Sequence, residues 1–373
     1  MVSARMGTNA SGMRRYNARL ILAAVRRLGG ASKAELARVT SLSPQATVRI
    51  VDELSADGML YAAEKRTGAM GQPATVYRID GSRGHTVGVE IGREGVTLVL
   101  LDFGGRRKAV RQALGSFPVI DTVVREIGCF LDDELDADLL TAGAFMGVGI
   151  AMPWFLGEWY EELGISAAQA REWRGDDVEK RLRDGIVWPT FFENDGNAAA
   201  LAHLLCGQAT DLHDFMLIQL GTFVGGGIVL GGRLLQGRHG NAGALASMPV
   251  CLGGAPEYLV HHASLYNVAS DDAALAGWVG RCAEALGFAV IGANSLLDLE
   301  AIVLDGLLPV ATIERVAAAL TEAVARHAPP DFFMPPIRIG RMGDAAVATG
   351  AGLLPLHASF APDLASLFKS AEQ

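Results

Sequence analysis

The sequence predicts an α/β protein in which a small helical head precedes a body of two similar lobes. Residues 86–112 read as three strands separated by tight turns, and residues 215–236 repeat the same plan. Two-residue Gly-Gly loops between apolar runs, such as Gly104-Gly105, are strong hairpin signals. The repeated three-strand meander therefore indicates a duplicated lobe, and a cleft between two lobes is a usual place for a small ligand.

Other periodic segments supply the rest of the body. At 373 residues the chain is too long for one ordinary core, so two or three domains are expected. Helices are predicted over residues 196–206, 272–286 and 313–327, and further short strands over 145–151, 301–304 and 336–339.

Charge is distributed unevenly along the chain. Residues 1–78 hold 12 Lys and Arg against 5 Asp and Glu, which leaves 20 against 36 for the remainder. A basic head on an acidic body indicates that only the head contacts nucleic acid.

Two protein classes are disfavoured by the sequence. No apolar run reaches the ~20 residues that span a bilayer, and the N-terminus lacks the apolar region of a signal peptide, so a cytoplasmic protein without a membrane partner is expected. The four cysteines are far apart and form no CxxC pair, which argues against a zinc site or a disulfide framework. Buried free thiols are expected instead, at Cys129, Cys206, Cys251 and Cys282.

The head reads as three short helices followed by a two-stranded wing. The second helix opens with an S-x-x-E capping box at Ser32 to Glu35, and the third opens with Ser43-Pro44, a cap followed by Pro at the first helical position. The predicted boundaries are a disordered tail over 1–13, a winged helix-turn-helix over 14–80 and an effector and oligomerisation domain over 81–373. The predicted apolar core positions of the second and third helices are Leu36, Val39, Val48, Val51 and Leu54.

In a helix-turn-helix, the N-terminal end of the second helix of the pair enters the major groove. The third helix of the head occupies that place, and Gln and Arg on its outer face are suited to base edges. A three-helix cap used only for packing is the alternative, and Arg66 is equally well read as a solvated charge. The predicted DNA contacts are Ser43, Gln45, Thr47 and Arg49 of the helix and Arg66 and Gln72 of the wing.

Several motifs in the body occur in a characteristic order. They are VGVEIG, GVGIAMP, ENDGNAAALAHLLCG and LGTFVGGGIVLGGRLLQGRHGNAGAL. Together with the head, these motifs resemble the ROK family of repressors and sugar kinases over nearly the whole chain. The resemblance implies an actin-like (ribonuclease H-like) fold for the two-lobed body.

The resemblance also implies a sugar pocket. In ROK kinases the Asp of the E-N-D-x-N-A segment is the general base and the preceding Asn binds the sugar; these positions match Asp195 and Asn194. A carboxylate suits either task, although Asp at a helix start is also a common cap. The other candidate ligand contacts are Pro153 at the end of GVGIAMP, Gly225 of the Gly-rich hairpin and Asn241.

Two further sugar contacts of the family are missing. The family signature A-G-E-x-G-H supplies a Glu and a His, and here Ala244 and Ser247 stand in their places. The family His also joins three Cys in a zinc site, of which this chain keeps Cys251 and has Ala255 at the last position. Since a structural zinc needs about four ligands, no metal is expected.

The phosphate-binding loops of the kinases are altered as well. The kinase run D-x-G-G-T corresponds to Glu90-Ile91-Gly92-Arg93-Glu94, and Phe223 stands where the second loop has Gly. Acidic side chains repel a triphosphate, and a bulky ring obstructs it. Neither a nucleotide nor another cofactor is therefore expected, and Asp195 is interpreted as a vestigial base.

Three functions remain open at this point. The first is a transcriptional repressor with a non-catalytic effector domain, which binds a pseudo-palindromic operator on double-stranded DNA as a homodimer or homotetramer and responds to a sugar or polyol. The second is a sugar kinase that carries a DNA-binding head. The third is a regulator controlled by a protein partner, in which the pocket serves only as a scaffold.

Overall fold

The structure is a computed structural model that describes residues 10–66, 73–115, 117–136, 144–154, 165–174, 177–266, 268 and 272–362. The N-terminal head contains three helices and a small sheet. The helices are α1 (Ala10–Leu28), α2 (Lys33–Thr40) and α3 (Pro44–Ala56). The strands β1 (Ala31–Ser32), β2 (Leu60–Arg66) and β3 (Ala74–Ile79) pair in the order β1-β3-β2, so the predicted wing gains a third, short strand.

Both predicted helix caps of the head are present. The Ser32 hydroxyl accepts from the backbone N–H of Glu35, whose carboxylate accepts from the Ser32 N–H at 2.8 Å. Ser43 caps α3 by accepting from the N–H of Ala46 at 3.2 Å. Helix α1 begins at Ala10, four residues inside the predicted tail of 1–13, and residues 1–9 of that tail lie outside the described part of the chain.

The buried face of α3 differs from the prediction by a small rotation. Thr47 is fully buried and its hydroxyl donates to the carbonyl of Ser43, so it does not reach the outer surface. Val48, predicted to be buried, is 41% exposed. The core face follows the i, i+3, i+4, i+7 spacing from Thr47 through Ile50 and Val51 to Leu54. Val39 of α2, another predicted core residue, is also exposed.

The two lobes of the body repeat one sheet topology. The first sheet contains β4 (His85–Gly92), β5 (Gly95–Asp102), β6 (Arg107–Leu114), β7 (Phe145–Met152) and β8 (Thr190–Asn194), in the order β6-β5-β4-β7-β8. Its meander is antiparallel, whereas β4, β7 and β8 are parallel. Helices α4 (Ile120–Glu134), α5 (Ala167–Glu172) and α6 (Val178–Gly185) belong to this lobe, and α7 (Asp195–Cys206) follows β8 directly.

The second lobe has the equivalent order. Strands β9 (Phe215–Leu220), β10 (Val224–Leu230) and β11 (Arg233–Leu234) form the meander, a hairpin of β12 (Pro249–Leu252) and β13 (Ala255–Tyr258) follows, and β14 (Ala301–Gly306) and β15 (Ile337–Ile339) complete the sheet β11-β10-β9-β14-β15. The remaining helices are α8 (Val260–Ala263), α9 (Asp272–Leu297), α10 (Val310–His327) and α11 (Ala346–Phe360). The predicted internal duplication is therefore present.

Helices α7 and α11 form the centre of the body. Helix α11 packs across β4 and β7 of the first sheet and along α7, which in turn packs on β9 and β10. Glycines permit this close approach. A Cβ atom on Gly350 would lie 1.7 Å from the carbonyl oxygen of Ala198, and one on Gly149 would lie 1.8 Å from that of Ala351. The two sheets are thus joined through backbone-to-backbone contact.

Helix α9 is a core helix of the second lobe. Its segment Ala273–Leu297 is long and apolar enough to cross a membrane by length and composition, but half of its most apolar window is buried inside the body. Trp278, Cys282 and Leu286 lie in the hydrophobic core of this lobe. Packing within the body accounts for the apolar character of this helix.

The cysteines are free thiols, as predicted, but only one of them is buried. Cys282 lies in the core of the second lobe. Cys129, Cys206 and Cys251 are exposed, so the expectation of burial was wrong for three of the four. Their positions in helices or in the hairpin direct these side chains outward. The usual burial of free Cys, on which the expectation was based, does not include this effect of position.

Candidate functional site

A cavity of about 80 Å³ lies at the meeting point of the two lobes. The parallel strands β4, β7 and β8 bring their carboxyl ends to one edge of the first sheet, where ligands of open α/β sheets bind. The β9–β10 turn and the end of β14 approach from the second lobe. The lining residues are Glu90, Ile91, Gly92, Arg93, Pro153, Asp195, Gly196, Gln219, Gly221, Thr222, Phe223, Gly225, Leu307, Gly343, Asp344 and Val347.

Asp195 lies where β8 ends and α7 begins. Its carboxylate accepts from the N–H of Gly196 at 2.8 Å, and the side-chain oxygen of Asn194 accepts from the same N–H at 3.0 Å. Asn194 is the N-cap of the helix. Both residues therefore stabilise the helix start, and only Asp195 also lines the cavity.

Two acids that line the cavity, Glu90 and Asp195, have raised pKa values. Burial, together with the nearby charges of Asp195 and Asp344, raises the pKa of Glu90 to about 8. Burial also raises the pKa of Asp195 to about 6, even though hydrogen bonds from Gly196 and Asn194 favour its charged form. Near neutral pH the Glu90 carboxyl of this cleft is therefore largely neutral.

A second carboxylate of the E-N-D segment is buried behind the cavity. Glu193 is 2% exposed and accepts from the Asn194 N–H at 2.9 Å, from Asn197 Nδ2 at 3.1 Å and from Gln236 Nε2 at 2.5 Å. Three donors satisfy a carboxylate that has no cation beside it among the described residues. The sequence analysis did not assign this role to Glu193. The only signal was its position in the E-N-D segment, directly before Asn194.

The loop after β11 is tied to the same junction. The carbonyl of Gly240 accepts from the indole N–H of Trp154 at 2.8 Å and from Asn197 Nδ2 at 3.5 Å. Asn241 follows directly and is exposed to solvent, outside the residues that line the cavity. Of the five predicted ligand contacts, the structure thus brings together Pro153, Asp195 and Gly225, and leaves Asn194 and Asn241 outside.

The altered family positions lie near this cleft. Ala244 directly precedes a short 3-10 turn at Leu245–Ser247, Ser247 is its last residue, and both side chains are exposed. Phe223 lines the cavity, and its ring contacts that of Tyr266 with a centroid separation of 5.3 Å. An aromatic ring therefore occupies the turn that binds phosphate in the kinases.

The region that holds zinc in the family forms the β12–β13 hairpin here. Cys251 pairs with Pro256 in the hairpin and is exposed. Within the described part of the chain, no group of three or more His, Cys, Asp or Glu side chains is placed to hold a metal ion. The absence of a metal remains a prediction for the whole chain.

A buried pair fixes the second lobe beneath the cavity. His203 Nε2 lies 2.9 Å from Asp305 Oδ2, with side chains 0% and 1% exposed. Asp305 also accepts from the backbone of Gly306 and Met342. Burial alone would raise the pKa of Asp305, but the hydrogen bonds from His203 and these amides lower it below the ordinary value. The pair joins α7 to the segment that carries Gly343 and Asp344.

The candidate nucleic-acid interface is the outer face of α3. Gln45, Val48 and Arg49 are exposed along its N-terminal half, at i, i+3 and i+4. Val48 is a candidate contact that sequence reasoning assigned to the core, and an apolar side chain there suits the methyl group of thymine. Ser43 is exposed but uses its hydroxyl as the cap, and Thr47 is buried, which removes it from the predicted contact set.

The wing carries the remaining predicted DNA contacts. Arg66, at the end of β2, lies 3.5 Å from Glu35 and is 57% exposed. An exposed pair of this kind is weak, so the guanidinium remains accessible to a phosphate. Gln72 lies outside the described residues.

Two helices connect the cleft with the head. Helix α7 begins at the cavity and ends beside α1, and α11 begins next to Asp344 and ends at Phe360, which packs on the head core. Arg26 of α1 donates to the carbonyl of Phe103 at 2.9 Å, and the Phe103 ring contacts Phe360 edge-on at 5.1 Å. A change at the cleft therefore has a direct packing route to the head.

Comparison with known proteins finds a matching family. The model of the ROK family matches residues 86–255. The body of this chain is therefore similar to the ROK family over that segment. The structure of a ROK family transcriptional regulator, a homologue of the E. coli MLC protein, superposes with a TM-score of 0.66 at 20% identity, covering 95% of this chain and 99% of that one. The predicted α/β fold, a two-lobed ROK-like body behind a helix-turn-helix head, is confirmed.

Two relatives extend the comparison. A protein named y4fQ from Sinorhizobium fredii is 27% identical over 350 residues, which is 89% of this chain and 88% of that protein. The xylose repressor of Bacillus subtilis is 21% identical over 246 residues, covering 65% of this chain and 62% of the repressor. The similar proteins thus include one named as a repressor and one named as a transcriptional regulator.

Proposed function

We propose that this protein is a DNA-binding transcriptional repressor of sugar or polyol metabolism genes, with an effector domain that binds its ligand and does not catalyse. The observation that carries the proposal is the combination, in one chain, of a capped helix with an exposed polar face and a cleft that keeps Asp195. A xylose repressor and an MLC-like regulator among its relatives support the same function.

The head supports DNA binding through both charge and shape. Its basic balance provides attraction to phosphates that does not depend on sequence. Gln45 and Arg49 project from the N-terminal half of α3, where side chains of a recognition helix reach base edges. A single head reads only a half-site, so a homodimer or homotetramer on a pseudo-palindromic operator is part of the proposal, as is a cytoplasmic location.

The cleft supports ligand binding without phosphoryl transfer. Transfer from a nucleotide needs a positioned triphosphate with its metal. The cavity is lined instead by Glu90 and by the ring of Phe223, which stands where the second phosphate turn of the kinases has Gly. Asp195 keeps a carboxylate that can bind hydroxyl groups. The family Glu and His that would act beside it are replaced by Ala244 and Ser247, which is consistent with sensing rather than catalysis.

The central helices support a mechanism for the response. The cavity of about 80 Å³ is smaller than the ~300–1,000 Å³ of typical ligand pockets, so binding requires the lobes to separate. Helices α7 and α11 run from this cavity to the head, over about 18 and 22 Å at 1.5 Å per residue. Lobe movement would change the position of the head and thereby the spacing of two heads in a dimer.

A binding experiment tests the proposal. An operator selected by the full-length protein from a random duplex library is used in mobility-shift assays. We expect specific binding that weakens steeply with salt and is lost when residues 1–80 are deleted. Persistence of operator binding in the deletion variant would refute the DNA-binding assignment.

A second experiment separates the proposal from its two alternatives. Asp195→Ala is expected to bind the operator like the wild type but to lose the release caused by an inducing sugar. Normal release in this variant would favour control by a partner or another site. ATP-dependent phosphorylation of a hexose that disappears in Asp195→Asn would favour the kinase.

A further inference from the structure

The cavity between the lobes is rich in carboxyl groups. Three carboxylates from three separate segments line it: Glu90 from β4, Asp195 from the start of α7 and Asp344 from the turn before α11. Arg93 is the one basic side chain among the lining residues. Three carboxyl groups against one guanidinium give this small, partly desolvated space a surplus of groups that can carry negative charge.

An unpaired acceptor points to a missing donor in the same cavity. Gln219 of β9 lines the cavity and is 6% exposed, and its side-chain oxygen is buried without a hydrogen-bond partner in the described structure. A buried amide oxygen without a donor is unfavourable, and native structures usually satisfy such groups with a ligand or water. Gln219 belongs to the opposite lobe from Glu90, so one bound group can satisfy both sides of the cleft.

The side chains that line the cavity determine which chemical group of a ligand can bind there. A hydroxyl brings one donor and no charge, whereas a protonated primary amine brings three donors, no acceptor and a positive charge. Carboxylates and an orphan amide oxygen can each accept from such a group, and a charge-assisted hydrogen bond is about twice as strong as a neutral one. A phosphate or carboxylate ligand would meet repulsion here.

We propose that Glu90, Asp195, Asp344 and Gln219 form a binding site for the ammonium group of an amino sugar or aminopolyol. The inference rests on the proposed sensing function and specifies its ligand class. In the family kinases the loops that correspond to those of Glu90 and Phe223 face the nucleotide phosphates.

The protonation behaviour of the acids agrees with this assignment. Burial raises the pKa of both Glu90 and Asp195, and the charges of Asp195 and Asp344 add to the effect at Glu90. A bound ammonium would favour both charged forms and lower both pKa values. Binding at pH 6 should therefore release protons.

A matched set of three probes tests the proposal on the full-length protein. Glucosamine, glucose and N-acetylglucosamine differ only in the group at one carbon, and a sugar ammonium is protonated at pH 6 because amines of this type titrate near ~8. We expect calorimetry to give glucosamine an affinity at least about tenfold above the other two, the size of one charge-assisted hydrogen bond. Two buffers of different ionisation enthalpy should report proton release for glucosamine alone.

Two variants and one competitor define the outcomes. Glu90→Gln should reduce the preference for glucosamine to within about twofold, whereas Glu94→Gln, an exposed neighbour outside the cavity, should keep it. Asp344→Asn provides a second test if Glu90→Gln folds poorly, as checked by its unfolding transition. Equal affinities for the three sugars, binding of none of them, or displacement of glucosamine by Mg²⁺ alone would each overturn the ammonium site. Operator binding by the head does not depend on these results, so the proposed function would stand.

Discussion

Replacing Glu90 by Gln is expected to stabilise the protein, and the gain should grow as the pH rises. Because Glu90 has a higher pKa in the folded protein than the ordinary 4.5, the folded state binds more protons than the unfolded state between pH 4.5 and about 8. Stability then falls with increasing pH across this window. A neutral Gln of the same shape avoids that loss.

The magnitude follows from the pKa difference. At about 1.4 kcal/mol for each pKa unit, a rise from 4.5 to about 8 has an upper bound of roughly 5 kcal/mol. The side chain is only partly buried, and solvent screening reduces the effect, so we expect about 2 kcal/mol at pH 8 and less than half of that at pH 5.

Urea unfolding followed by tryptophan fluorescence measures this gain at pH 5, 6, 7 and 8. Glu94→Gln is the matched control, since the same chemical change is made on an exposed side chain and should shift stability by less than about 0.5 kcal/mol at every pH. A Glu90→Gln stability difference that is constant with pH would refute the reasoning. The Glu90 carboxyl would then titrate normally, and the cleft would be wetter than its geometry indicates.

Three further predictions concern other parts of the molecule. Arg49→Ala should weaken operator binding by about 1–3 kcal/mol in mobility-shift titrations, while Arg125→Ala on the exposed face of α4 should not change it. Asp305→Asn should lower the free energy of unfolding by about 3–5 kcal/mol, because it breaks the buried pair with His203. Since the pKa of Asp305 is lowered in the folded protein, the wild type should itself lose this stabilisation as the pH falls below 3.8. Gly350→Ala should destabilise by about 3 kcal/mol or more, since the new Cβ would overlap the Ala198 carbonyl, and an unchanged unfolding midpoint would show that α7 and α11 are further apart than described.

Local signals account for the elements that could be predicted. The Ser32 and Ser43 caps and the Gly-Gly hairpins depend on residues within a few positions of each other, so they can be recognised in the sequence without knowledge of the fold. Helix α11 lacks such a signal. It is buried on all sides from Ala346 to Leu356, which removes the apolar period of 3.6 residues that marks a surface helix.

Only part of the candidate site could be predicted from the sequence, for a similar reason. Asp195, Pro153 and Gly225 lie in motifs and do line one cavity. Gln219 gave no signal, because its role depends on the opposite lobe. Val48 was predicted to be buried and Thr47 to be exposed, and the structure shows the reverse, because the packing of the head core sets the rotation of α3. Pairwise spacing of Val48 and Val51 fitted either rotation.

The glycine contacts at the centre of the body restrict where this protein can change. Where backbones touch at Gly350 and Gly149, no side chain is available to retune the fit, and any larger residue separates the two sheets. Adaptation to a new ligand or a new operator is therefore confined to the two ends of α7 and α11, the cleft wall and the head. Heads and clefts from different relatives could be exchanged on this pair of helices, because main-chain contacts at these glycines hold the two sheets together.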